Sequence, residues 1–161
     1  MKKILYAVFS IMLLASCGGG KAKVTESDKA AMIGNILGSG GGKAKVAESD
    51  KAEARELIMA EIETANDFLA GKQVDYATVC DGCEFYNDEI HYYYTFNEDY
   101  VNVDLLKNNV GEIKQTQQAI IESMPATREL RDLLKTVNGK LIYHYTGDSS
   151  GRTVIVTVLD F

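Results

Sequence analysis

Tryptophan is absent from this chain, histidine occurs twice (His91 and His144), and cysteine occurs three times (Cys17, Cys80 and Cys83). With so few soft or imidazole ligands, a metal centre could draw on one constellation only, Cys80 and Cys83 with His91 and His144. Runs of basic residues are also absent: 17 Lys and Arg are scattered among 23 Asp and Glu, for a formal net charge of −6. An acidic chain without a basic patch repels phosphate backbones, so no nucleic-acid partner is expected. The apolar stretch from Ile4 to Ala15 falls short of the about 20 residues that a membrane-spanning helix needs. No nucleophile motif, phosphate loop or calcium loop occurs; Asn97 to Asp104 lacks the glycine and distal glutamate of an EF-hand. The carboxylates that cluster, Asp88/Glu89, Glu98/Asp99 and Asp148, all fall in turn-like segments that favour solvated acids. No enzyme activity and no cofactor are expected.

What is present begins at the amino terminus. Lys2-Lys3, the apolar segment Ile4 to Ala15 and the small residues that follow have the order of a secretory signal peptide. Leu14-Ala15-Ser16-Cys17 closes it and resembles the lipobox of bacterial lipoproteins. The resemblance covers residues 1–17. It implies that residues 1–16 are removed, that Cys17 is lipidated with palmitate-type acyl chains, and that the chain sits in the cell envelope on this anchor. In enteric Gram-negative members an aspartate after the cysteine favours inner-membrane retention. Gly18 stands there instead, which implies the outer membrane. Removal of residues 1–16 takes Lys2 and Lys3 and no acid, leaving 15 basic residues against 23 acidic ones, a formal charge of −8. Such a chain gains nothing from anionic lipid, so acyl burial at about 0.8 kcal/mol per CH₂ must hold it to the membrane.

A tandem duplication follows the anchor. Gly18 to Ala30 and Gly40 to Ala52 differ over thirteen positions only at Thr25 and Ala47, with a spacing of 22 residues. Two copies are too few for a solenoid. Glycine, lysine and acidic residues outweigh apolar ones here, so residues 17–48 are expected to be a flexible, lipid-anchored tether, with the folded domain at 49–161.

Within that domain Ala54, Leu57, Ile58, Ile62, Ala65, Phe68 and Leu69 recur at helical spacing, with Ser49 or Asp50 as the expected cap and Gly71 as the stop. Glu84-Phe85-Tyr86 and Glu89 to Phe96 then flank an Asn87-Asp88 hairpin turn, with Ile90, Tyr92, Tyr94 and Phe96 on the core face. Asn102 or Asp104 caps a helix marked by Leu106, Val110, Ile113, Ile120 and Met124, with a possible break at Gly111. Pro125 stops it, Thr127 caps another, and Asn138-Gly139 closes that one, with the glycine left-handed. Leu141 to Thr146 and Arg152 to Phe161 make a second hairpin around Gly147 to Gly151. The expected fold is α+β: an antiparallel sheet of about four strands in two hairpins, with about three helices packed on one face. The general look of residues 50–161 resembles small bacterial lipoproteins of uncharacterised function, a resemblance that carries no functional residues.

Cys80-Asp81-Gly82-Cys83 is the motif nearest to chemistry. Two cysteines in an exported chain suggest a disulfide across an Asp-Gly turn. A redox role would need a thiol at a helix amino terminus, and the strand-like sequence downstream argues against one. Tyr93, His91 and His144 are placed on the strand face away from the core and are the residues expected to face a ligand. The leading function is a non-enzymatic binding or accessory domain, held at the membrane by lipid, with an envelope protein or other ligand as partner. The alternative is a thiol–disulfide or zinc protein built on Cys80 and Cys83.

The lipobox yields the first prediction. Cys17→Ala removes the thiol that takes the lipid, so the variant should incorporate no labelled palmitate and should leave the membrane fraction. Retained label or unchanged membrane partition would refute the assignment.

Overall fold

The computed structural model describes residues 46–161. The expected signal peptide, the expected lipidation site at Cys17 and the expected tether up to residue 45 lie outside the described residues. The first helix, α1, spans Glu48–Leu69 and buries Ala54, Leu57, Ile58, Ile62 and Leu69, one stripe at three- and four-residue steps. Neither Ser49 nor Asp50 caps it. Ala47 occupies the cap without a side-chain hydrogen bond, and Glu48 and Asp50 instead place negative charge in the first turn, where the helix dipole favours it. At the other end Gly71 has φ of +73° and donates its N–H to the Cys80 carbonyl over 2.7 Å.

A two-residue strand β1 (Lys72–Gln73) precedes β2 (Thr78–Tyr86) and β3 (Glu89–Phe96). Asn87 and Asp88, at φ of 53° and 62°, are both left-handed, the geometry of the two-residue turn that matches strand twist. Helix α2 (Val103–Asn108) is capped by Asn102, whose side chain accepts from the Leu105 N–H. Helix α3 spans Val110–Ser123, so the break falls at Asn109 and not at the expected Gly111. A 3₁₀ turn at Pro125–Thr127 leads into α4 (Arg128–Val137), then β4 (Lys140–Gly147) and β5 (Thr153–Asp160). Thr127 does not cap α4 through its side chain; its hydroxyl donates backwards to the Met124 carbonyl.

Among the described residues the sheet has five strands in the order β1-β2-β3-β4-β5 and is mixed, with four helices, where about four antiparallel strands and about three helices were expected. Every neighbouring pair is antiparallel except β3 and β4, which run parallel with Ile90 opposite Leu141 and Tyr94 opposite Tyr145. The reason is positional. The helical segment carries the chain back to the end of the sheet where β3 began, so β4 restarts in the same direction. Nothing in the local pattern of either hairpin specifies that docking.

The helices cover one face. Helix α1 lies on β2 and α4, and α3 lies on β5. The resulting core joins Ile58 and Ile62 to Cys80, Cys83, Ile90, Tyr94, Tyr143, Val156 and Val158. Helix α3 is also tied to the last strand: Gln118 donates its amide to the Val158 carbonyl, over 2.7 Å, at the irregularity where Val158 has no partner in the β4 ladder.

The junction between α4 and β4 is tight. Asn138, at φ of 55°, takes the left-handed position expected of Gly139. Gly139 has a different reason to lack a side chain. A Cβ there would collide with the Asp88 carbonyl oxygen and come within 2.9 Å of Leu134 Cδ2. That carbonyl in turn accepts the Lys140 N–H over 3.1 Å, pinning the first hairpin to the start of β4. Gly139→Ala should therefore lower stability by about 1–3 kcal/mol, the usual range for overpacking, measured as a lower urea midpoint with an unchanged denaturant slope.

Candidate functional site

Strand alternation sends the residues of β3 and β4 to opposite sides. Tyr94, Tyr143 and Tyr145 are buried on the helix side, with Tyr92 partly buried beside them. Their rings are paired: Tyr94 stacks on Tyr145 at 5.5 Å between centroids and meets Tyr143 edge-on at 5.8 Å. Burial raises the pKa of all four hydroxyls, so they remain un-ionised.

Cys80 and Cys83 belong to this interior. A β-bulge at Asp81–Gly82 shifts the register of β2, so two cysteines three residues apart both point at the helices. They are free thiols, not the expected disulfide. The Asp81-Gly82 pair lies inside a strand and makes no turn between them. Even shortened by a bulge, extended chain at about 3.3 Å per residue leaves Cα atoms near or beyond the about 7 Å limit for bridging. The Cys83 Sγ lies 3.8 Å from the Ile62 carbonyl and 3.5 Å from Asn66 Oδ1, while the same Asn66 exchanges two hydrogen bonds with the Cys83 backbone. Burial, reinforced by Cys80, pushes the Cys83 thiol up to about 12, and burial raises Cys80 as well. Neither has the lowered pKa of a reactive thiol. The zinc set fails on position: the cysteines face the helices and the histidines face the other way. Among the described residues no group of three or more His, Cys, Asp or Glu is placed to hold a metal ion.

The opposite face carries the candidate site. No described helix packs on it, and Asp81, Glu84, Tyr86, Thr153 and Ile155 are exposed there, Ile155 at 56%. At its centre His91 Nδ1 and His144 Nε2 are 2.9 Å apart. His91 is only 5% exposed although no helix covers it. Tyr86 shields it, stacking at 4.3 Å with rings 4° from parallel, while Tyr93 stacks on His144 at 4.8 Å. The Tyr93 hydroxyl donates to Glu84 Oε2 over 3.0 Å, and burial with that hydrogen bond raises its pKa. Thr95 donates to Asp81 over 2.8 Å. At the rim Lys140 Nζ pairs with Glu89 Oε1 at 3.0 Å, and Glu89 Oε2 lies 3.4 Å from His91 Nε2. That second contact is too long for a firm hydrogen bond, and His91 Nε2 is buried with no other partner. Desolvation, and then the neighbouring His91, hold His144 below the ordinary imidazole value.

The structure thus brings together three residues singled out from sequence, His91, Tyr93 and His144, and separates them from Cys80 and Cys83. It adds Tyr86, Glu84, Glu89 and Lys140, which sequence reading did not assign to a site. For Tyr86 and Glu84 the bulge is the cause, because unbroken alternation puts both on the same face as Cys80. For Glu89 and Lys140 the missing signal is the parallel register that sets Glu89 opposite Lys140.

The thiol environment makes a prediction. Neither Cys80 nor Cys83 should react with a disulfide-exchange reagent at pH 8 in the native state, and both should react in denaturant. Rapid native titration of either would contradict their burial.

No family model matches the chain, and no curated protein matches it. Among solved structures it is similar to a Pseudomonas aeruginosa protein provisionally described as secreted, at 11% identity and a TM-score of 0.56. The match covers 74% of this chain and 96% of that one. At that identity the likeness is one of fold: the α+β arrangement of helices on one side of a mixed sheet is shared with that protein.

Proposed function

We propose that this chain is an exported lipoprotein, held through acylated Cys17 at the cell envelope and at the outer membrane in particular. Its domain acts as a non-enzymatic binding or accessory module. The observation that carries the binding assignment is the two-sided use of the sheet. The described helices crowd one face, while the other presents, among the described residues, Tyr86, Tyr93, His144 and Ile155 around a buried His91 nitrogen without a firm partner. Exposed aromatic rings beside carboxylates and an apolar Ile155 suit a contact surface. Export is supported by the lipobox residues Leu14 to Cys17 and by the description of the structural neighbour as secreted. The thiol–disulfide and zinc readings gain no support from the placement of Cys80 and Cys83.

A photo-crosslinking amino acid at Ile155 should capture a partner or ligand in native envelopes, whereas the same group at Glu112, exposed on α3, should not. Capture from Glu112 alone, or equal capture from both, would refute the sheet face as the binding surface.

A further inference from the structure

The His91–His144 contact has a defined hydrogen order. One of the two facing nitrogens carries the proton and the other the lone pair. His91 Nε2 lies against the Glu89 carboxylate at 3.4 Å, and a lone pair there would face negative charge, so that nitrogen is assigned the proton. Neutral His91 then accepts at Nδ1 from His144 Nε2–H. The lone pair of neutral His144 is left at Nδ1, which makes no hydrogen bond among the described residues.

The surrounding charge is one-sided. Strand β2 contributes Asp81 and Glu84 to this face, β3 contributes Glu89, and β5 contributes Asp160 opposite Lys140. Against these four acids stands Lys140 of β4, already paired with Glu89. Tyr86 and Tyr93 add ring faces and no charge. We propose that the open sheet face binds a cationic partner, a segment bearing guanidinium or ammonium groups, and that proton uptake by the His91–His144 pair releases it. The inference rests on the reading of this face as the binding surface.

At neutral pH a cation on this face meets the His144 lone pair, the Glu84 carboxylate and the Tyr86 and Tyr93 rings, each of which attracts positive charge. On acidification the proton enters at His144 Nδ1. The hydrogen bond between the rings spreads the new charge toward His91, where Glu89 stabilises it. Burial and the neighbouring ring hold His144 below the ordinary imidazole value, so the face stays neutral at its centre through neutral pH and becomes cationic only below that lowered value.

The test uses the full chain purified in detergent and a fluorescent tetra-arginine peptide at constant ionic strength. Binding should weaken by about tenfold or more between pH 7.5 and a pH below the His144 transition read from its ¹⁵N spectrum, the scale of a like-charge juxtaposition, and the His144→Gln variant should show a flat profile. In the wild-type chain, side-chain ¹⁵N spectra should show His144 unprotonated at Nδ1 at high pH and both rings shifting together over one proton; this readout needs no variant to fold. A pH-independent wild-type affinity, two independent imidazole titrations, or preference for a tetra-glutamate peptide would each overturn the proposal. If Ile155 crosslinks a partner while tetra-arginine fails to bind at either pH, the cationic assignment falls and the binding face stands. If Ile155 captures nothing, the face itself falls.

Discussion

The parallel pairing of β3 with β4 is the constraint on which the rest of the structure depends. A parallel pair cannot be closed by a tight turn and needs a long crossover, here the helical segment from Val103 to Val137. The same pairing sets Tyr92 opposite Tyr143 and Tyr94 opposite Tyr145, so one register decides both layers of chemistry. On the helix side it assembles the aromatic interior. On the other side it brings His144 of β4 within hydrogen-bonding distance of His91 of β3.

The Asn87-Asp88 turn holds that register in place. The Asp88 side chain takes two hydrogen bonds from Arg55 of α1, at 2.7 and 2.9 Å, and its carbonyl takes the Lys140 N–H at the start of β4. One turn residue therefore ties the first helix, the first hairpin and the crossover together. The Arg55 guanidinium also holds the Asp88 carboxyl below its usual range. Its contribution to stability is then present above the unfolded carboxylate pKa and is lost as pH falls through the lower folded value.

The sheet uses tyrosine in two ways. On the helix side tyrosines fill space and stack in the core. On the open face Tyr86 and Tyr93 stack on a polar pair, which is how His91 is buried with no covering element among the described residues. The bulge in β2 makes this partition possible: it keeps Cys80 and Cys83 together inside and sends Glu84 and Tyr86 outside.

Much of the local structure was legible in the sequence. The stripe from Ala54 to Leu69, the Asn87-Asp88 turn, the Asn102 cap, the stop at Pro125 and the alternation of β3 follow from short-range rules of periodicity, left-handed tolerance and missing N–H groups. Alternation alone was enough to put His91 and Tyr93 on the face away from Tyr92 and Tyr94. The tertiary structure decided what those rules do not reach. The cap at Ala47 and the break at Asn109 depart from the local rules, and the bulge reversed the parity of β2, which takes Cys83 to the helix side beside Cys80 and away from the histidines. The parallel docking of two hairpins, and with it the meeting of His91 and His144, comes from contacts between residues about fifty positions apart. Such a register is set by the fit of whole faces against the helices, and no local sequence pattern encodes it.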